Sequence, residues 1–162
     1  MTHNTDIATT ADADLAVEVN MTSGLVDMIE TIISSLEQDD SAMVRHLDND
    51  GHLWTFKYGS VDVFVQLTGI SDDDMLTVWS PVLPLPVQDE TRLMRKLLQM
   101  NWSDTFEASF CILGNDSGEQ VVISAARTVA EISPGEISRN ITIVATIADD
   151  QDDALAAEFS AA

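Results

Sequence analysis

The sequence predicts an α+β domain: an antiparallel sheet of about five strands packed with three helices, in the order α-β-β-β(-β)-α-β-β-α. Three observations lead there. Apolar residues recur with a helical period in three separate stretches and with a period of two between them. The turns joining the period-two stretches are short runs of Gly, Asn, Asp and Ser, which cannot make the long crossover a parallel pair needs. Prolines stand where a helix or strand must begin or stop. A chain of 162 residues has the size of one domain, enough to bury a core, and it shows neither an internal repeat nor a dividing linker.

Residues 1–20, rich in Ala, Thr and Asp, hold too little apolar surface to offset ordering entropy and are expected to form a disordered acidic tail. Thr22 or Ser23 then caps a first helix. Leu25, Met28, Ile29, Ile32, Ile33 and Leu36 follow on one face of it, up to the Glu37–Asp40 cluster. Residues 42–48 and 52–58 flank Asp48-Asn49-Asp50-Gly51 and read as a hairpin. Trp54, Phe56 and Tyr58 share a face, and after Gly59-Ser60 so do Val61, Val63, Val65 and Leu67. Met75–Ser80 is the bracketed fourth strand. Three prolines in the segment from Ser80 to Pro86 point to an extended crossing piece, neither helix nor central strand.

A second helix is expected from Asp89 to Met100, with Leu93, Met94, Leu97 and Leu98 apolar. Phe106–Leu113 and Gln120–Val129 make the last two strands. Ser133 as N-cap, Pro134 as first helical residue and Glu136 as the partner in a capping box open the third helix. Ile137, Ile141, Val144, Ala145 and Ala148 form its main stripe. Ile143 and Ile147 widen the apolar arc to roughly 200°, where a core-facing helix needs ~100°. The acid-rich run from Asp149 ends the pattern. The expected division is a tail over 1–20, one α+β domain over 21–150 and an acidic C-terminal tail over 151–162.

Charge removes several classes of partner. Twenty-eight acidic residues stand against seven Lys and Arg, a formal net charge of -21. Affinity for phosphate backbones depends on Lys and Arg displacing counterions, so no nucleic acid is expected as partner. Anionic membrane surfaces are disfavoured likewise, and no apolar run is long enough to span a bilayer. The first twenty residues have no basic and no apolar region of the kind that directs secretion. With Cys111 the only cysteine, a cytoplasmic location is the expectation. On that reading the N-x-Ser/Thr sequons at Asn20, Asn101, Asn115 and Asn140 are chance matches.

Sites for chemistry are few. There is no phosphate-cradling Gly-rich loop, no Gly-x-Ser-x-Gly elbow and no His-Glu-x-x-His. His46 and His52 flank one hairpin without a third ligand, so they read as strand-end histidines. The Asp48–Gly51 turn fails as a calcium loop, because His46 stands where the first aspartate belongs and Lys57 where the bidentate glutamate belongs. Asp72–Asp74 and Asp149–Asp153 read as solvated charge runs. Cys111, between Phe110 and Ile112, is expected to be a buried thiol. Glu107 and Arg127 are expected to pair across the last two strands. No catalytic residue, cofactor or metal is predicted.

Binding has more behind it. The wide arc of the third helix buries more than one surface: Ile143 and Ile147 either meet a partner or a second copy of the chain, or pack on other helices of the same domain. Trp79, Val82 and Leu83 either close the sheet edge or present apolar surface.

Certain stretches resemble the YbjN family. They are Val78-Trp79-Ser80-Pro81-Val82-Leu83 with Leu85-Pro86, Leu98-Gln99-Met100-Asn101-Trp102 with Thr105-Phe106-Glu107-Ala108, and Ser133-Pro134-Gly135-Glu136-Ile137-Ser138-Arg139 through Ile141-Thr142. Together they look most like its cyanobacterial branch, from about Leu25 to Asp153. The resemblance implies a fold similar to that of type III secretion chaperones, often dimeric, with no catalytic residues to carry over. It implies a non-enzymatic chaperone-like or adaptor protein holding a client protein or peptide, with a homodimer as a second expected assembly. The partner-binding candidates are Ile143, Ile147, Trp79, Val82 and Leu83. The alternative is a small-ligand sensor or regulatory module, since the family is described in sensory transduction and stress responses.

Overall fold

The computed structural model describes residues 24–36, the backbone of residues 44–48, and residues 51–162. The expected N-terminal tail and the caps at Thr22 and Ser23 lie outside the described residues. Helix α1 covers residues 24–36. Its Val26, Ile29 and Ile33 are buried, with Leu25, Met28, Ile32 and Leu36 half-buried around them, so the buried face takes in Val26, which the expected stripe leaves out. The Trp54 Nε1–H donates to Glu30 Oε1 at 3.1 Å and ties this helix to the sheet.

Four strands follow as an antiparallel meander: β1 Val44–Asp48, β2 Gly51–Tyr58, β3 Val61–Leu67 and β4 Met75–Pro84. Helix α2 (Glu90–Ser103) leads to β5 (Ser109–Asn115) and β6 (Gly118–Thr128), and helix α3 runs from Pro134 to Glu158. The expected element order is the one observed, with the bracketed fourth strand present. The six strands form one sheet in the order β1-β2-β3-β4-β6-β5, all neighbours antiparallel. At the β1–β2 turn Gly51 has φ +147°, and a Cβ there would lie 2.0 Å from the Leu67 carbonyl oxygen. Only glycine fits that approach.

Alternation along the strands decides which face is covered. Val61, Val63, Val65 and Leu67 are buried while Asp62 and Gln66 are exposed. The register places Trp54, Phe56, Val78 and Ala125 on the same side as this valine row. Helix α3 lies across that side against β2, β3, β4 and β6. Its Ile137, Ile141, Val144, Ala145 and Ala148 are all fully buried, as their stripe requires. The opposite side carries Thr55, Phe64, Trp79, Ser124 and Ser109, one opposite the next.

Three expectations are corrected here. The segment from Ser80 is not a crossing piece outside the sheet: β4 continues through Pro81 to Pro84, paired with β6. The prolines are tolerated because the β3 pairing ends at Trp79. The pair Pro81↔Val122 also turns the missing N–H towards that vacated side, and a register shift between Pro81 and Leu83 absorbs the remainder. Cys111 is exposed, not buried, because β5 is an edge strand and Cys111 points to the uncovered side while Phe110 points inward.

The third correction concerns the C-terminus, where residues 151–162 are not a tail. Leu155 returns to the angular position of Ile137 after five turns and is fully buried. The acids beside it have donors. Ser60 N–H donates to Asp149 Oδ1 at 2.9 Å, and Ser60 Oγ–H to Asp152 Oδ2 at 2.7 Å. Arg92 Nη1 reaches Glu158 Oε1 at 2.6 Å, and Lys96 Nζ bonds the other carboxylate oxygen. Phe159 is buried beneath the Arg92 guanidinium, 4.2 Å from its ring centre. Ala161 bridges to Val87.

Candidate partner-binding surfaces

Helix α2 begins where Asp89 accepts the Arg92 backbone N–H at 3.1 Å. Its inward residues are Leu93 and Leu97, with Met94 and Met100 half-buried beside them. Asn101 fastens its end to β5 by accepting the Phe110 N–H at 2.7 Å and donating to the Phe110 carbonyl at 3.3 Å. On the opposite face Leu98 and Trp102, one turn apart, are 70% and 94% exposed, and Phe106 in the following turn is 85% exposed. Phe106 has a left-handed φ of 52°, unusual for a residue other than glycine. The turn is anchored by buried Thr105, whose carbonyl accepts the Ala108 N–H at 2.9 Å. A groove of about 720 Å³ runs along this face between Leu98, Trp102, Thr91, Gln99 and Arg95. Arg95 forms no ion pair among the described residues.

The uncovered side of the sheet has a second apolar feature. Trp79 is half-buried and stacks on Phe64, with ring centres 5.3 Å apart and planes at 10°. Beside it lies a groove of about 310 Å³ lined by Gln66, Thr77, Cys111, Leu113 and Ser124. The other sequence candidates sit elsewhere. Val82 and Leu83 are buried in the core, so no surface of this structure presents them. Ile143 and Ile147 are half-buried, packed against the core on one flank of α3. The structure does not gather the five candidates into one site.

A third feature was not legible as a site. Where β6 meets the first turns of α3, a cleft of about 230 Å³ is lined by Glu107, Ala126, Arg127, Glu136, Arg139 and Asn140. Glu107 and Arg127 do not pair with each other as the sequence suggested. Glu107 precedes β5 and binds Arg139 Nη1 at 3.2 Å, while Arg127 pairs with Glu136 and donates to the Ala130 carbonyl at 3.4 Å. Glu136 also completes the capping box, accepting the Ser133 N–H at 2.9 Å. Asn140 is only 7% exposed, and its side-chain amide has no hydrogen-bond partner among the described residues. Its signal in the sequence was a polar residue inside the apolar arc, between Ile137 and Val144.

His46 lies opposite Leu53 and His52 opposite Leu47; the His52 ring stacks on Trp54 at 5.5 Å. The turn residues Asn49 and Asp50 lie outside the described residues. No group of three or more His, Cys, Asp or Glu converges among the described residues, and none of their helices is long and apolar enough to cross a membrane. Asp74 serves its own turn. The hydroxyls of Ser71 and Thr68 and the Ser71 N–H donate to it, at 2.6, 2.8 and 2.9 Å, and hold its carboxyl below the usual range.

Comparison with known proteins agrees with this architecture. The YbjN family, described as "Putative bacterial sensory transduction regulator", matches residues 25–157. No curated protein matches the chain by sequence. Among solved structures, a chain of the ExsC–ExsE complex superposes with a TM-score of 0.51 at 16% identity, covering 82% of this chain and 94% of that one. YbjN from E. coli gives a TM-score of 0.48 at 10% identity, covering 83% and 93%. The first of these likenesses shows that the two chains share a fold.

Proposed function

The chain belongs to the YbjN family, and from that premise we propose that it is a non-enzymatic, cytoplasmic protein-binding module, an adaptor or chaperone that holds a client polypeptide on apolar surface. The observation that carries this reading is the exposed stripe of Leu98, Trp102 and Phe106. Leu98 and Trp102, one turn apart on α2, and Phe106 in its exit turn expose large apolar side chains, and exposed apolar surface of this kind marks interaction sites. Aromatic anchors of this type supply most of the energy where proteins meet. A net charge of -21 keeps such a surface soluble between encounters.

Further support comes from the fold. The ExsC–ExsE structure it resembles was solved as a complex, and a protein partner is the reading taken here. Trp79 with Phe64 offers a second apolar contact on the open side of the sheet. Ile143 and Ile147, being half-buried, would contribute only at the margin of α3.

The test compares affinity capture from lysate by the wild type and by a Leu98→Ser/Trp102→Ser variant, with mass spectrometry of what is retained. Both side chains are exposed, so the variant should melt as the wild type does. The retained partner should fall at least about tenfold, the loss expected for one or two anchors worth ~2 kcal/mol each. Undiminished capture by a folded variant would move the client off this helix. No protein retained by either form would favour the small-ligand sensor.

A further inference from the structure

We propose that the cleft between β6 and the start of α3 is a binding site for an extended polypeptide segment, whose main chain pairs with Ala126 and whose amide group is met by Asn140. This deepens the protein-binding reading and rests on it, but the surface is distinct from the α2 stripe.

Two independent observations converge on the cleft. The first is the edge of β6. The Glu119 carbonyl accepts the Leu85 N–H, and the Val129 N–H donates to the Asp74 carbonyl. Both bonds run towards the β4 side, so odd-numbered residues of β6 face β4 and even-numbered ones face β5. β5 begins at Ser109, opposite Ser124. Ala126 therefore aims its N–H and C=O where no strand lies among the described residues, and no turn or loop main-chain bond among them involves it. A donor and an acceptor are presented side by side at the end of a sheet, the arrangement an added strand satisfies.

The second observation is Asn140. A buried amide without a partner is costly, and native proteins rarely leave one so. The cleft it lines, about 230 Å³, is far larger than the space one bridging water needs. An amide matches a peptide group donor for acceptor. The charges around it do not select by sign: Arg127 is paired with Glu136 and Arg139 with Glu107. A neutral pair of ion pairs, a main-chain donor and acceptor, and an unsatisfied amide together suit the backbone of a peptide better than an anion or a cation.

The experiment is a titration of ¹⁵N-labelled full-length protein with the capped tetrapeptide acetyl-Thr-Val-Thr-Val-amide, read by NMR. The Ala126 amide and the Asn140 side-chain NH₂ should shift saturably, with a Kd of ~1 mM, the affinity of a few hydrogen bonds. An analogue N-methylated at alternate amides keeps the side chains but loses donors, and should bind at least tenfold more weakly. Asn140→Leu, which fits an apolar side chain into the cleft, should lose binding to the same extent. Asn140→Ala replaces it if the larger residue prevents folding, and Ala126→Pro removes the edge donor separately. Absence of a saturable shift, equal binding of the methylated analogue, or equal shifts from free glycine would overturn the proposal, the last by making this a small-molecule site. If the peptide fails here while α2-dependent capture persists, the cleft is removed and the protein-binding reading stands; peptide binding without any captured protein gives the reverse.

Discussion

Phe159→Ala tests whether the acidic C-terminal stretch belongs to the domain. The ring is 3% exposed, lies under Arg92 at 4.2 Å, and sits between Leu155 and the Ala161–Val87 bridge. Truncating a buried phenylalanine costs ~3–5 kcal/mol in transfer and cavity terms. Loss of the cation–π contact at this partly exposed guanidinium adds ~0.5–1 kcal/mol. Partial collapse of the chain end into the space would offset some of this, since the site lies near a terminus, so ~3 kcal/mol is the working value. In a domain of this size 1 kcal/mol moves Tm by ~2–4 °C, giving a fall of ~6–12 °C. Calorimetry on wild type and variant at one pH, with urea unfolding as a second measure, reads it directly. A change below ~1 kcal/mol, within the range of surface substitutions, would mean that residues beyond Asp150 are a loosely attached tail, and the assignment of Leu155 and Phe159 to the core would fall with it.

Two further predictions are simpler. The carboxyl of Glu158 is held below its ordinary range chiefly by the hydrogen bond from Lys96; desolvation opposes it as the next effect, and Arg92 lowers it further. Its folded pKa is thus below the unfolded one, so its contribution is complete above the ordinary glutamate pKa of ~4.3 and fades as the pH falls below that. Glu158→Gln should therefore lower Tm at pH 7 and flatten the loss of Tm between pH 5 and pH 3; parallel wild-type and variant curves would show the pair to be inert. Cys111, exposed on the open side of the sheet, should react with Ellman's reagent in the native protein as fast as after unfolding in urea, and a native rate a hundredfold slower would return it to the core.

Much of the fold could be read from the residues because the elements rest on strong local signals. The stripe from Ile137 to Ala148, the alternation from Val61 to Leu67 and the Ser133–Glu136 capping box each satisfy a local rule, and each lies where that rule places it. The α2 surface was half legible. Leu98 is as apolar as Leu93 and Leu97, but at helical spacing it falls on a different face, with Trp102 one turn further on. Composition alone does not say which of two apolar stripes a domain buries; here the inward one holds Leu93 and Leu97 against the sheet.

The mistaken expectations share a cause: they turn on which neighbour a residue acquires in space. Cys111 and Phe110 are equally apolar neighbours in one strand, yet one is exposed and one buried because, among the described residues, helices cover only the side that Phe110 faces. Pro81 is forbidden in a strand paired on both sides and harmless once β3 has stopped. Asp152 and Glu158 look like tail residues until Ser60, Arg92 and Lys96 arrive from positions 60 or more residues away. Asn140 is the converse case. Its position in the apolar arc says it will be buried, and burial is what the structure shows, but no hydrogen-bond partner arrives among the described residues. A polar group that the sequence sends inward and the fold leaves unmatched is where local and global order disagree, and such disagreements in natural proteins concentrate at sites of function. That is why the cleft beside Asn140, rather than the larger groove on the open side of the sheet, carries the inference about what this domain holds.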